Sequence, residues 1–218
     1  MSFNVTIENE IALITFDDGK VNAVGFDLIA QFNDALDKAE REAKVVVMYG
    51  GESKFCGGFD LSVMKGDDKE NQIKLVAQGA KLIKRLYGFA KPVVMAAEGH
   101  SIALGAVFLL AGDLRIGKQG EVKYGLNETA IGMVLPNFWM DLAKDRLAPT
   151  SVTEALLFSR LYKGEEAVTA GYLDMALPQD KILPTAMAYA KQLKQLPASS
   201  FAESKRQLRQ HTLAKMDV

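Results

Sequence analysis

Val45-Val46-Val47-Met48-Tyr49 is an unbroken apolar run, and Phe55-Cys56-Gly57-Gly58-Phe59-Asp60-Leu61 follows it. A short run without polar alternation predicts a strand covered on both faces, as in a parallel sheet. The paired glycines let the backbone turn tightly and come close to a ligand. Asp60 stands where it can cap a short helical turn over 61–64. N–H groups at a helix start have no partner inside the helix. They can hold an anion or a developing oxyanion. A tight connection without chemistry has the same local sequence.

The arrangement recurs. Residues 92–97 form a second buried apolar run, and Gly99-His100-Ser101-Ile102-Ala103-Leu104-Gly105-Ala106 follows, opening a buried helix over 105–111. Two such junctions can converge on one carbonyl oxygen.

Outward from this pair, Phe3, Val5 and Ile7 alternate with polar residues, and Ile11, Leu13 and Phe16 form a second β-like run, which predicts a hairpin. Asp17-Asp18-Gly19-Lys20 is a turn. Leu28, Ile29, Phe32, Leu36 and Ala39 share one helical face, as do Ile73, Val76, Ala80, Ile83 and Tyr87. Between these helices, 65–70 is a charged loop. Further strands are predicted over 114–116, 122–124 and 173–176, and helices over 181–196 and 199–216. Strand pairs followed by helices, with no fixed repeat, predict an α/β fold. Residues 1–177 form its core and 178–218 a C-terminal helical segment. On the last helix, Lys205, Arg206, Arg209 and Lys215 are expected on a solvated face, or against ligand phosphates or a partner subunit.

The chain has 218 residues, 49% hydrophobic and 24% charged, with a net charge of −1. That suits one sizeable folded domain, or a domain plus a helical appendage, and points to neither nucleic acid nor membrane as a main partner. The longest apolar stretch, 102–111, is well short of the ~20 residues of a membrane span. Cys56 is the single cysteine, which excludes an intramolecular disulfide and fits a reducing compartment. Without a Cys or His cluster no metal site is expected. No basic leader precedes an apolar block, and Lys-Met-Asp-Val is no peroxisomal address. A cytoplasmic location is expected.

Neither glycine-rich junction is a dinucleotide fingerprint, a phosphate loop or a nucleophile elbow. Ser101 has no evident His–Asp partnership. Cys56 is a candidate nucleophile or, more simply, a small buried residue. Glu128 stands among apolar and small residues in Tyr124-Gly125-Leu126-Asn127-Glu128-Thr129-Ala130-Ile131-Gly132. Burial there would raise its pKa and suit it to proton transfer near neutral pH; a surface loop glutamate is the alternative. Glu98, directly before Gly99, is the other acid beside a glycine loop.

Taken together these segments resemble the crotonase (enoyl-CoA hydratase/isomerase) superfamily. The two junctions resemble its oxyanion-hole loops, and Lys20-Val21-Asn22-Ala23-Val24 resembles its N-terminal segment lining the CoA site. Glu165 and Ala167, followed by Gly171-Tyr172-Leu173-Asp174, resemble the stretch leading into the last core strand. The resemblance implies a spiral of β-β-α units and a homotrimer or hexamer. It implies that the N–H groups of Phe59 and Leu104 form the oxyanion hole. Lys20, Val21, Ala23, Gly57, Asp60 and Leu61 would contact the CoA thioester. CoA enters only as part of the substrate, and no separate cofactor is implied.

Position 107, where hydratases keep one of two glutamates, is Val107; Glu128 matches the other. That pattern, with Tyr124 to Thr129 and Pro136-Asn137-Phe138-Trp139, is similar to the Δ3,Δ2-enoyl-CoA isomerases. Ala103 and Leu104 replace glycines found in many members, which would narrow the acyl channel. Met64, Met133, Phe138 and Trp139 are candidates for an acyl pocket or for core. The activity implied is a double-bond shift from 3-enoyl-CoA to 2-enoyl-CoA with Glu128 as proton shuttle. Enoyl-CoA hydration, thioester hydrolysis and non-catalytic acyl-CoA binding remain alternatives.

Overall fold

The computed structural model describes residues 2–51 and 54–216. Glu52 and Ser53, within the first glycine-rich stretch, lie outside the described residues, as do Met1, Asp217 and Val218. In chain order the strands are β1 (Ser2–Glu8), β2 (Ile11–Asp17), β3 (Val45–Gly50), β4 (Lys54–Cys56), β5 (Val93–Ala97), β6 (His100–Ile102), β7 (Leu114–Lys118), β8 (Lys123–Gly125), β9 (Tyr162–Lys163) and β10 (Met175–Leu177). The helices are α1 (Phe26–Glu42), α2 (Leu61–Met64), α3 (Lys69–Tyr87), α4 (Leu104–Leu110), α5 (Asn137–Arg146), α6 (Val152–Leu156), α7 (Gly164–Ala170), α8 (Gln179–Leu193) and α9 (Ala198–Lys215).

Two sheets result. The larger has the order β1-β2-β3-β5-β7-β10 and the smaller β4-β6-β8-β9. The predicted hairpin is β1–β2, antiparallel from Ser2 opposite Asp17 to Glu8 opposite Ile11. From β2 onward the larger sheet is parallel. Each of β3, β5 and β7 is followed at once by a strand of the smaller sheet, so successive β-β-α units climb in a spiral.

The apolar runs behave as two-faced strands. Val45, Val47, Val94 and Ala96 pack on Ile182, Ala186 and Ala190 of α8. Val46, Met48, Val93 and Met95 face the main core, with Phe32, Leu36, Leu82 and Phe108. The segment after Pro178 thus lies on the larger sheet through α8.

Several expectations need correction. Residues 54–56 and 100–102, at the two glycine-rich junctions and not foreseen as strands, belong to the smaller sheet; so few residues carry no periodicity to read. The two-residue strand β9 was unread for the same reason. The last strand falls at Met175–Leu177 rather than over 173–176, because Tyr172 and Leu173 are core residues of the preceding turn. Ile73, assigned to the apolar face of α3, is 71% exposed, while Leu75, Leu82 and Leu86 are buried.

The basic run on α9 divides. Arg206 pairs with Glu203 on the surface, and Lys215 reaches Asp141 at 3.4 Å. Lys205 and Arg209 instead turn inward onto Asp113, at 2.7 and 2.9 Å. The half-buried Asp113 carboxylate, which also accepts from Val93 N–H at 2.8 Å, meets the charges of the two buried cations.

Candidate active site

The first junction is shaped by three backbone bonds. Gly57 N–H donates to Val21 O at 2.8 Å, Val24 N–H to Gly58 O at 2.8 Å, and Asp60 N–H to Val24 O at 3.0 Å. Gly58 has φ of +111°, a conformation that strains any L side chain. Asp60 is the cap foreseen for α2: its carboxylate accepts from Ser62 N–H at 2.8 Å and from Ser62 Oγ at 2.7 Å. Phe59 N–H takes no part in these bonds. Val24 and Phe59 form a parallel bridge in which Val24 bonds to Gly58 and Asp60, the neighbours of Phe59, so Phe59 N–H points away from Val24.

At the second junction Ala103 has φ of 56° and ψ of −128°, a strained placement for a residue with a Cβ. Its N–H donates to Gly125 O at 3.0 Å, and its carbonyl accepts from Ala106 N–H and Val107 N–H. Leu104, the first residue of α4, has an N–H without an intrahelical partner. The two junctions meet: a Cβ placed on Gly58 would lie 3.3 Å from Ala103 Cβ and 3.9 Å from Leu104 N. Gly79, in mid-helix, leaves space for the Phe59 ring, since a Cβ there would come within 2.7 Å of it. That ring stacks on Trp139 with centroids 5.7 Å apart.

Both junctions border a cavity of about 400 Å³. Gly57, Gly58, Phe59, Ala103 and Leu104 supply one wall, and Leu61, Met64, Val76, Met133 and Trp139 much of the rest. Glu128 is the ionisable residue of the lining. It follows β8 and starts a short 3-10 turn over Thr129–Ile131. Thr129 Oγ1 donates to Leu156 O at 3.1 Å and Ala130 N–H to Ser159 Oγ at 3.0 Å, which anchors the turn.

Glu128 is 4% exposed, and neither carboxylate oxygen has a hydrogen-bond partner among the described residues. Burial lifts its pKa above the ordinary value; the nearby backbone N–H groups of Glu128 and Asn127 only partly oppose this. An unpaired carboxylate in an apolar cavity is suited to moving a proton next to a carbonyl. Val107 is buried in α4 and brings no second carboxylate.

Other expected residues divide. Gly57 and Leu61 line this cavity. Lys20 lines a separate polar cavity of about 470 Å³ with Asp17 and Lys54, and Val21 a third of about 330 Å³ that also includes Gly57. Ala23 sits in the turn that its N–H makes to Asp18 Oδ2 at 3.3 Å. Asn22, from the same segment, is a staple: its side chain donates to Lys54 O at 2.9 Å and Phe55 O at 3.2 Å.

Phe138 packs on Trp139 within the core-facing layer and is not in the cavity lining. Cys56 is buried, and burial pushes its thiol up to about 12, which rules it out as a nucleophile near neutral pH. Glu98 is also buried but accepts from Gln179 Nε2 at 3.3 Å, away from the cavity. Sequence reasoning missed Asn127, whose Oδ1 is buried beside Glu128 with no partner among the described residues. Its position next to the candidate base was the available signal.

Comparison with known proteins gives consistent relatives. The profile of the enoyl-CoA hydratase/isomerase family matches residues 6–217. The chain is 30% identical over 190 residues to the glyoxysomal fatty acid beta-oxidation multifunctional protein MFP-a of Cucumis sativus, covering 84% of this chain and 26% of that protein. It thus spans about a quarter of the length of that multifunctional relative. It is 25% identical to the mitochondrial enoyl-CoA delta isomerase 1 of Homo sapiens, over 94% of this chain and 70% of that one. The crystal structure of an enoyl-CoA hydratase/isomerase family protein from Pseudomonas syringae superposes with a TM-score of 0.95 at 35% identity, covering 99% of this chain and 93% of that chain. Proteins named as hydratases and as delta isomerases are both among the matches.

Proposed function

The chain belongs to the enoyl-CoA hydratase/isomerase family, and on that premise we propose that it moves a double bond from 3-enoyl-CoA to 2-enoyl-CoA. The observation that carries this reading is a lone carboxylate, Glu128, in an apolar cavity that Phe59 and Leu104 of the two junctions also line. The thioester oxygen lies between the N–H groups of Phe59 and Leu104. Glu128 takes a proton from C2, the electron pair spreads over the dienolate, and Glu128 returns the proton to C4. Losing one donor of such a pair costs about 3–4 kcal/mol of transition-state stabilisation.

Hydration asks for more. A water must be oriented and deprotonated for attack on C3 while C2 is protonated. Two carboxylates share that work, and Val107 cannot hold a water by hydrogen bonding. The substrate contacts at Gly57 and Leu61, and the homotrimer or hexamer that family resemblance implies, belong to the same proposal.

The test is formation of conjugated 2-hexenoyl-CoA from 3-hexenoyl-CoA, followed by absorbance, with Glu128→Gln as the control. Turnover that disappears in Glu128→Gln supports the reading. Hydration of crotonyl-CoA at a comparable rate, or release of free CoA, overturns it in favour of a hydratase or a thioester hydrolase.

A further inference from the structure

Ser159 stands in a left-handed backbone conformation, with φ of 54°. It follows α6, where Leu157 N–H and Phe158 N–H both donate to Thr153 O and Arg160 N–H donates to Glu154 O at 3.1 Å. Glycine is the usual residue in a left-handed position after a helix, because an L side chain is strained there. Glycine would make this turn more easily but would bring no hydroxyl.

The hydroxyl has a definite partner. Ser159 Oγ accepts from Ala130 N–H at 3.0 Å, across 29 residues of sequence. Glu128 is the N-cap of the 3-10 turn over Thr129–Ile131, so Ala130 is the second residue of that turn. An N-cap side chain ordinarily accepts from that N–H or from the next one. Glu128 makes no such bond, and the next N–H, on Ile131, donates to Glu128 O at 3.1 Å. Ser159 therefore caps, from outside the turn, the N–H that the Glu128 carboxylate would otherwise accept. Thr129 Oγ1, donating to Leu156 O, ties the same loop to the turn a second time.

We propose that Ser159 is a positioning residue: by occupying the Ala130 N–H it keeps Glu128 from capping its own turn and leaves the carboxylate free to move a proton in the cavity. The proposal rests on the isomerase reading. Without the Ser159 hydroxyl, the carboxylate gains a charge-assisted bond that favours the capped conformer by about tenfold. It then bends onto its own turn and loses basicity, since a bond to the ionised form lowers a carboxyl's pKa. Few other charges act on Glu128. Among the described residues, Tyr172 is a titratable side chain that interacts with it, and burial keeps that hydroxyl protonated. The described cavity lining holds no other ionisable residue. On the loop, Arg160 pairs with Glu154 at 2.7 Å and with Glu166 at 3.4 Å.

The experiment is a carboxyl-carbon NMR titration of glutamate-labelled protein, beside steady-state kinetics with 3-hexenoyl-CoA. The Glu128 resonance is the one missing from Glu128→Gln. Ser159→Ala removes the hydroxyl and keeps the strain; Ser159→Gly removes both. Each is expected to lower the Glu128 midpoint by about one pH unit, the equivalent of the tenfold preference. Each is expected to lower kcat at least about tenfold while KM changes less than about twofold. The acid limb of the kcat profile, below which the base is protonated, is expected to move to lower pH with the midpoint. Ser159→Gly, relieved of strain, is expected to unfold at a higher temperature than Ser159→Ala, which separates lost activity from lost fold. A folded Ser159→Gly with the wild-type midpoint, water or Asn127 Oδ1 having taken the freed N–H, overturns the proposal and leaves the isomerase reading intact. A lowered midpoint with wild-type kcat also overturns it. A lowered midpoint in the variants, with no turnover of 3-hexenoyl-CoA by wild type, upholds the Ser159 contact and overturns the isomerase reading.

Discussion

Gly105 is pressed against Cys56 so closely that a Cβ on it would lie 2.0 Å from the Cys56 carbonyl oxygen. The contact is backbone on backbone, so no side chain can swing aside. It joins the end of β4 to the first turn of α4, and so sets the spacing of Phe59 and Leu104. Gly105→Ala is expected to part the two junctions. Displacement of about 1 Å costs on the order of 10²-fold in rate, and the overpacking about 1–3 kcal/mol. Steady-state kinetics and thermal unfolding of that variant check both effects.

Glu128→Gln is expected to lower isomerisation by about 10²–10⁴-fold and to raise stability. Burial lifts the wild-type carboxyl's folded pKa above the ordinary carboxylate value, so the folded state holds the proton more tightly than the unfolded chain does. Its contribution is complete below that value and is lost as pH rises through the folded pKa. The stability gap in favour of Glu128→Gln is therefore expected to widen with pH across that window. Denaturant unfolding of both proteins at acid and neutral pH measures it.

Asp113 holds Lys205 and Arg209 under the last helix. Asp113→Ala leaves two buried cations without their carboxylate, at a cost of about 3–5 kcal/mol. Lys205→Met leaves Asp113 paired with Arg209 and is expected to cost less. Chemical denaturation curves rank the two.

The cavity ends in an apolar rim. Ile131, Met133 and Val134 are exposed, Val134 at 89%, and Leu61 shares the cavity lining with them. An acyl chain that outgrows the cavity would cover them, gaining about 0.8 kcal/mol per buried methylene. Catalytic efficiency is expected to rise from six-carbon to ten-carbon substrates. Val134→Asp is expected to reduce the ten-carbon rate and spare the six-carbon rate, as a chain-length series would show.

Burial holds the Cys56 thiol at about 12. The folded protein is therefore expected to resist iodoacetamide at neutral pH and to react once unfolded. Mass spectrometry before and after denaturation distinguishes the two.

Much was legible locally. The runs at Val45–Gly50 and Val93–Ala97 announced two-faced strands because only burial on both sides tolerates unbroken apolar sequence. Glycine and a capping Asp60 marked the junctions, and Glu128 was already the isolated acid. Each signal lies within a few neighbouring residues, where periodicity and backbone preference act.

Tertiary structure alone decided the rest. Gly58 meets Ala103 only because β4 pairs with β6. Lys205 and Arg209, on a helix that reads as solvated, turn inward because Asp113 stands across from them. Lys54, His100, Lys123 and Lys163 come side by side only in the register of four short strands. These outcomes depend on partners tens of residues away, and a charge or a three-residue strand has no local pattern that names its partner.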